Sequence, residues 1–98
     1  MDRRRTIELL ARSMPELRTR FGVTRLALFG SMVRDTATSD SDVDVLVSFD
    51  GPATSARYFG VQFYLEDLLG RPVDLVTERA LRPELRPAIE RERLDVRG

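Results

Sequence analysis

Two short apolar runs, each joined to polar residues, constrain this 98-residue chain more than any other feature. The run at residues 26–29 ends abruptly in a Gly-Ser pair, and the run at residues 43–47 begins with Asp42 and Asp44 alternating with valines. Residues two apart in a strand point to the same face, so the two aspartates are predicted to project together while the valines enter a core. Adjacent carboxylates repel each other unless a cation lies between them, so the pattern indicates a candidate metal site.

Composition narrows the chemistry that such a site can perform. With 42% apolar and 33% charged residues, the chain is predicted to fold as one domain over residues 1–98. The absence of cysteine and histidine excludes disulfides and cysteine-ligated zinc and removes the most common general base. A bound metal is therefore predicted to be Mg²⁺ or Mn²⁺. Zero formal net charge and the lack of a long apolar run predict a soluble, cytoplasmic protein without general affinity for nucleic acid or membranes.

Hydrophobic periodicity and turn residues predict alternating helices and strands. Strands are predicted over residues 24–29, 43–49 and 73–76. Helices are predicted over residues 6–21 (as two helices, the second starting at Met14, or one kinked there) and after Gly30 for about one and a half turns. Another is predicted from a cap at Thr54 or Ser55 to residue 69, stopped by Gly70, and two short pieces are predicted within residues 78–93. The stripe expected to pack inward from the third helix is Phe59, Phe63 (or Val61), Leu65 and Leu68. This order predicts an α/β (α+β) fold with a small mixed sheet of three or slightly more strands, flanked by helices.

A third aspartate, Asp74, lies inside another apolar run, where a carboxylate is unexpected. If the third strand pairs beside the second, Asp74 lies next to Asp42 and Asp44, and the three carboxylates could hold two divalent ions for a phosphoryl displacement. The alternative is that Asp42 and Asp44 begin a strand at the surface and Asp74 faces solvent. A calcium-binding loop does not fit, because Val45 and Gly51 occupy the positions that require glycine and glutamate.

The Gly-Ser pair is the second candidate site. Gly30 lets the backbone approach a ligand, Ser31 adds a hydroxyl, and amides at the start of a helix favour phosphate. Arg34, one turn further on, could reach the same phosphate. Taken singly, these residues are more typical of an ordinary glycine turn, a serine helix cap and a solvated or ion-paired arginine.

The Gly-Ser turn, the Ser-Asp-x-Asp strand and the third aspartate together resemble the signature of minimal nucleotidyltransferases of the DNA polymerase β-like superfamily. The resemblance covers residues 25–47 and 71–77 and is to the antitoxin members encoded beside HEPN-domain toxins. It implies a polymerase β-like palm core. One departure is Asp35-Thr36, where the common pattern has Gly-Glu.

The resemblance implies a function in a toxin–antitoxin system. The implied enzyme transfers AMP from ATP to a hydroxyl, expected to be a tyrosine of a cognate HEPN ribonuclease toxin, and so neutralises that toxin. The implied site residues are Asp42, Asp44 and Asp74 as catalytic residues and ligands of two Mg²⁺ (or Mn²⁺), with Gly30, Ser31 and Arg34 binding the nucleotide. Because the chain is short, the acceptor is expected to be held by a partner or by a second copy, or to be a protein that docks its own hydroxyl. Two alternatives stay open: a catalytically idle antitoxin that acts by binding alone, and a small-molecule adenylyltransferase.

Overall fold

Helices and strands alternate along residues 3–34 and 42–97, which are the residues that this computed structural model describes. In chain order the elements are α1 (Arg3–Phe21), β1 (Val23–Phe29), a 3₁₀ turn (Gly30–Met32), β2 (Val43–Phe49), α2 (Ser55–Leu69), β3 (Val73–Thr77), α3 (Arg86–Glu92) and β4 (Leu94–Asp95). None of the helices within these residues is long and apolar enough to cross a bilayer.

The four strands form one mixed sheet in the order β3-β2-β1-β4. β1 runs antiparallel to both β2 and β4, whereas β2 and β3 are parallel. A parallel pair needs a crossover connection, and α2 provides it. The predicted α/β fold with a small mixed sheet is therefore confirmed. The fourth strand was not predicted, because its two residues are too few to show a periodic pattern.

One face of the sheet packs against α1 and α2 and forms the main core, and we call it the helix face. Val43, Val45 and Val47 point to this face and are completely buried, as their alternation with aspartates predicted. The helices contribute residues such as Leu10 and Leu65, which are also completely buried. The periodicity of β2 thus decides which of its side chains enter the core.

The opposite face carries the aspartates and a much smaller apolar cluster, and we call it the acidic face. Its buried residues are Ala27, Leu46, Leu81 and Ile89. The prediction of two helical pieces over residues 78–93 is half wrong: α3 is a helix, but residues 78–85 form turns. Prolines at 83 and 87 each remove a backbone N–H donor, which disfavours a continuous helix through this segment.

Two further helix predictions are resolved by the structure. α1 is a single helix that contains Pro15. α2 begins at its Thr54 cap, whose hydroxyl accepts from the Arg57 N–H at 3.2 Å, and it ends at Gly70 with φ of 65°.

The predicted inward stripe of α2 is wrong at Phe59, and of the two alternatives Phe63 and Val61 it is Val61 that is buried. Phe59 and Phe63 are 49% and 62% exposed, and the residues that α2 buries are Val61, Leu65 and Leu69. These buried residues recur every four positions and lie on one side of the helix, so rings two residues away from that stripe turn toward solvent.

Candidate active site

Strand pairing brings acidic side chains together near one end of the acidic face. Asp44 pairs with Asp74 across the parallel β2–β3 ladder and with Phe29 across the antiparallel β1–β2 ladder. Asp42 directly precedes β2 and is exposed, as is Asp74, whereas Asp44 is half-buried. The third strand therefore does lie beside the second, which is the condition under which Asp74 was expected to approach the other two.

The electrostatics of this cluster are dominated by Asp44. The pKa of Asp44 is raised to about 6, mainly by burial and then by repulsion from Asp74 and Asp42. The positive charge of Arg34 opposes this increase. Excess negative charge is thus costly here, and a bound cation would relieve that cost.

The residues present fit a metal ion that arrives with a substrate. Within the described parts of the chain, no three acidic side chains are gathered closely enough to form a complete metal site. Mg²⁺ usually takes only one or two carboxylates from a protein and completes its shell with water and substrate phosphates. An all-oxygen pair at Asp44 and Asp74, with Asp42 nearby, is a suitable donor set for such an ion.

The backbone at position 30, beside Asp44, requires glycine. Its φ is +74°, a left-handed conformation that favours glycine, and a Cβ at this position would collide with Oδ2 of Asp44. After Gly30 the chain makes one 3₁₀ turn, in which the Val33 and Arg34 amides both donate to the Gly30 carbonyl at 3.1 Å. Ser31 lies within this turn. Within the described residues, which end here at Arg34, this 3₁₀ turn is shorter than the predicted helix of about one and a half turns.

Other parts of the motif lie outside the described residues. These are Ser41 and the departure from the family pattern at Asp35-Thr36, together with the remainder of the predicted helix.

One residue at this site was missed by sequence reasoning. Glu92 Oε1 accepts a hydrogen bond from the Gly30 N–H at 2.9 Å, and Arg34 Nη1 donates to Oε1 and Oε2 of Glu92 at 3.2 and 3.0 Å. Glu92 is the last residue of α3 and lies 62 positions beyond Gly30. An acidic residue in a charged helix carries no local signal of such a contact.

A groove of about 300 Å³ opens beside Asp74 on the acidic face. Its lining is mostly apolar, with two charged residues: Phe29, Val76, Ala80, Leu81, Leu85 and Ile89, with Asp74 and Arg82. Another cavity, of about 190 Å³, lies toward the other end of β2 and β3 between Val47 and Glu78, and none of the predicted site residues lines it. The groove beside Asp74 is therefore the cavity relevant to chemistry at the aspartates.

This chain is similar to known proteins in both sequence and fold. The nucleotidyltransferase domain family matches residues 10–96. Protein adenylyltransferase MntA of Thermococcus cleftensis is 42% identical over 84 residues, which span 86% of this chain and 85% of that protein. A solved structure of a minimal nucleotidyltransferase superposes with a TM-score of 0.80 at 38% identity, covering 96% of this chain and 95% of that one.

Two solved toxin–antitoxin structures show the same fold at lower identity. One contains AMP-PNP and matches with a TM-score of 0.72 at 21% identity, covering 90% of this chain and 73% of that one. The other is a tri-AMPylated Shewanella oneidensis HEPN toxin in complex with its MNT antitoxin, which matches with a TM-score of 0.66 at 19% identity, over 94% and 72% of the two chains.

Proposed function

Since the chain belongs to the nucleotidyltransferase domain family, we propose that it is an antitoxin that transfers AMP from ATP to a tyrosine hydroxyl of a cognate HEPN ribonuclease toxin. The observation that carries this proposal is the parallel pairing that sets Asp44 beside Asp74, with Gly30 packed against the Asp44 carboxylate. The protein adenylyltransferase activity named for the MntA relative supports it. The AMPylated HEPN toxin bound to an MNT antitoxin of the same fold supports the choice of partner.

The turn after β1 is the proposed triphosphate site. The Gly30 and Ser31 segment would let phosphate approach the backbone closely, and Arg34 would supply positive charge. AMP-PNP in a toxin–antitoxin structure of this fold supports ATP as the substrate. In this proposal the nucleotide lies next to the acidic cluster, because Gly30 contacts Asp44 directly.

The aspartates are the proposed metal ligands and the proposed proton acceptor. Asp44 and Asp74, with Asp42 completing the set when the substrate is bound, would hold Mg²⁺, which would offset phosphate charge and ease deprotonation of a hydroxyl. The acceptor oxygen attacks the α-phosphorus of ATP, the bond from that phosphorus to the bridging oxygen of the β-phosphate breaks, and pyrophosphate leaves. The proton of the acceptor hydroxyl passes to Asp74, whose exposed side chain borders the groove.

The groove beside Asp74 is the proposed entry path of the acceptor. Its apolar walls, which include Phe29, Leu85 and Ile89, suit an aromatic ring better than a short aliphatic alcohol. Gly30 and Ser31 do not line it, so a tyrosine and the triphosphate would reach the aspartates from different sides.

The test is transfer of AMP to the toxin. The chain is incubated with its cognate HEPN toxin, ATP and Mg²⁺, and intact mass and ribonuclease activity are followed. We expect the toxin to gain one or more AMP masses while its ribonuclease activity falls. Asp44→Asn should slow transfer by about 10²-fold or more, whereas Asp67→Asn, an exposed aspartate on α2, should not.

The outcome also separates the alternatives. Neutralisation of the toxin without any gain in mass, equally by wild type and Asp44→Asn, would replace the proposal with an idle antitoxin that acts by contact. Transfer of AMP to a small molecule but not to the toxin would replace it with a small-molecule adenylyltransferase.

A further inference from the structure

We propose that Glu92 is a positioning residue that holds the turn after β1 in place of a phosphate, and that ATP displaces it on binding. This inference rests on the proposed nucleotide site. It concerns a residue at the far end of the chain, outside the motif that the family resemblance covers.

The contacts of Glu92 are those expected of a bound anion. Its carboxylate accepts from the Gly30 N–H and from the guanidinium of Arg34, with distances of 2.9 to 3.2 Å. A backbone amide combined with an arginine is also a typical pair of donors to a phosphate oxygen. The same donors cannot keep these bonds to Glu92 and direct them to a phosphate, so the two anions compete.

The charge around the turn makes this competition strong. Gly30 contacts both Glu92, through its N–H, and the Asp44 carboxylate, through its Cα side. The Glu92 side chain is only 25% exposed, so its charge is partly shielded from water. A triphosphate that approached while Glu92 was in place would meet the acidic cluster with Arg34 already neutralised.

Displacement of Glu92 would also affect one wall of the acceptor groove. Glu92 ends α3, and Ile89 of the same helix lines the groove beside Asp74. Binding of ATP would therefore release the end of the helix that forms one wall of the groove. Glu92 would in this way connect the nucleotide site to the acceptor site.

The experiment measures the affinity for Mg–ATP by isothermal titration of wild type, Glu92→Ala and Glu92→Gln. We expect Glu92→Ala to bind about fivefold or more tightly than wild type, because the internal competitor is gone. Glu92→Gln should gain less, since its amide oxygen still accepts from the Gly30 N–H. Glu90→Ala is the matched control, because it removes the same charge from α3 at an exposed pair with Arg86 and should leave affinity unchanged.

A purely structural role for Glu92 would give the opposite sign, since loosening the turn would weaken binding. Unchanged or weaker binding in both variants, with normal binding by wild type, overturns the inference and leaves the nucleotide site standing. Absence of binding by wild type and by both variants overturns the proposed nucleotide site and the inference together. If Glu92→Ala fails to fold, as judged by its thermal melt, Glu92→Gln decides the question. In an Arg34→Ala background the gain in ATP affinity from removing Glu92 should be smaller, because one of the two donors for which Glu92 and phosphate compete is absent.

Discussion

The two faces of the sheet differ in how completely they are covered, and this difference separates stability from chemistry within single strands. β2 contributes Val43, Val45 and Val47 to the helix face, where all three are completely buried. The acidic face receives Asp44 from the same strand, and within residues 3–34 and 42–97 its apolar cover is the small cluster around Leu46. Because successive residues of a strand face opposite ways, one segment can hold the core together and present carboxylates at the same time.

The largest expected effect tests whether stability resides on the helix face. Leu65→Ala should lower the free energy of unfolding by about 3 kcal/mol, because Leu65 is completely buried in the main core. Ile89→Ala on the acidic face should cost less, about 2 kcal/mol, since its cluster is small and 9% of the residue is exposed. Chemical denaturation measures both. An equal or larger loss for Ile89→Ala would contradict the claim that the helix face contributes more to stability than the acidic face.

The next effect tests the close approach on which the acidic face depends. Gly30→Ala should cost about 2 kcal/mol and remove nucleotide binding, because a methyl group at this left-handed position collides with Asp44. Gly70→Ala is the matched control: its φ is +65°, but no described residue other than its chain neighbours lies within 4 Å of an added Cβ. It should show only the conformational cost, about 1 kcal/mol, with binding intact. Equal effects of the two substitutions would contradict a specific contact between Gly30 and Asp44.

A smaller effect concerns the pH dependence of stability. The pKa of Asp44 is raised to about 6 in the folded chain, against about 3.9 for an unfolded aspartate. The folded state therefore holds this proton more tightly, so the contribution of Asp44 to stability is fully present below about pH 4 and is lost as the pH rises through about 6. Since Asp44 is partly exposed, solvent screening limits this loss to about 1 kcal/mol. Denaturation at several pH values in chelator measures it, and Asp44→Asn should lack this component. A wild-type profile identical to that of Asp44→Asn would contradict the expectation.

The smallest effect lies on the solvent side of α2. Phe63→Ala should change the free energy of unfolding by less than about 0.5 kcal/mol, because the ring is 62% exposed. The variant to compare with it is Leu65→Ala, because Leu65 lies two residues further along the same helix but is completely buried. Thermal melts of the purified variants check this. A loss above 1 kcal/mol would show that the ring packs more tightly than its exposure indicates.

Much of the fold was predictable because it depends on local patterns. Alternation in β2 identified the core valines, and Thr54 and Gly70 marked the ends of α2. The prediction of Phe59 as a core residue was wrong, and the choice between Phe63 and Val61 stayed open, because a helix with apolar residues on more than one side does not reveal which side meets the sheet. The short β4 and the turns over residues 78–85 likewise depend on contacts with distant parts of the chain.

The chemical groups at the candidate site, and the faces to which they point, follow from the order of the residues alone. Two aspartates separated by one valine must share a side of a strand, and a glycine before a serine allows the tight turn at Gly30. Two contacts depend instead on the folded chain: Asp74 lies beside Asp44, and the Gly30 N–H donates a hydrogen bond to Glu92. The reason is physical: backbone periodicity is set by neighbouring residues, whereas strand order and a contact across 62 positions depend on how the whole chain closes on itself.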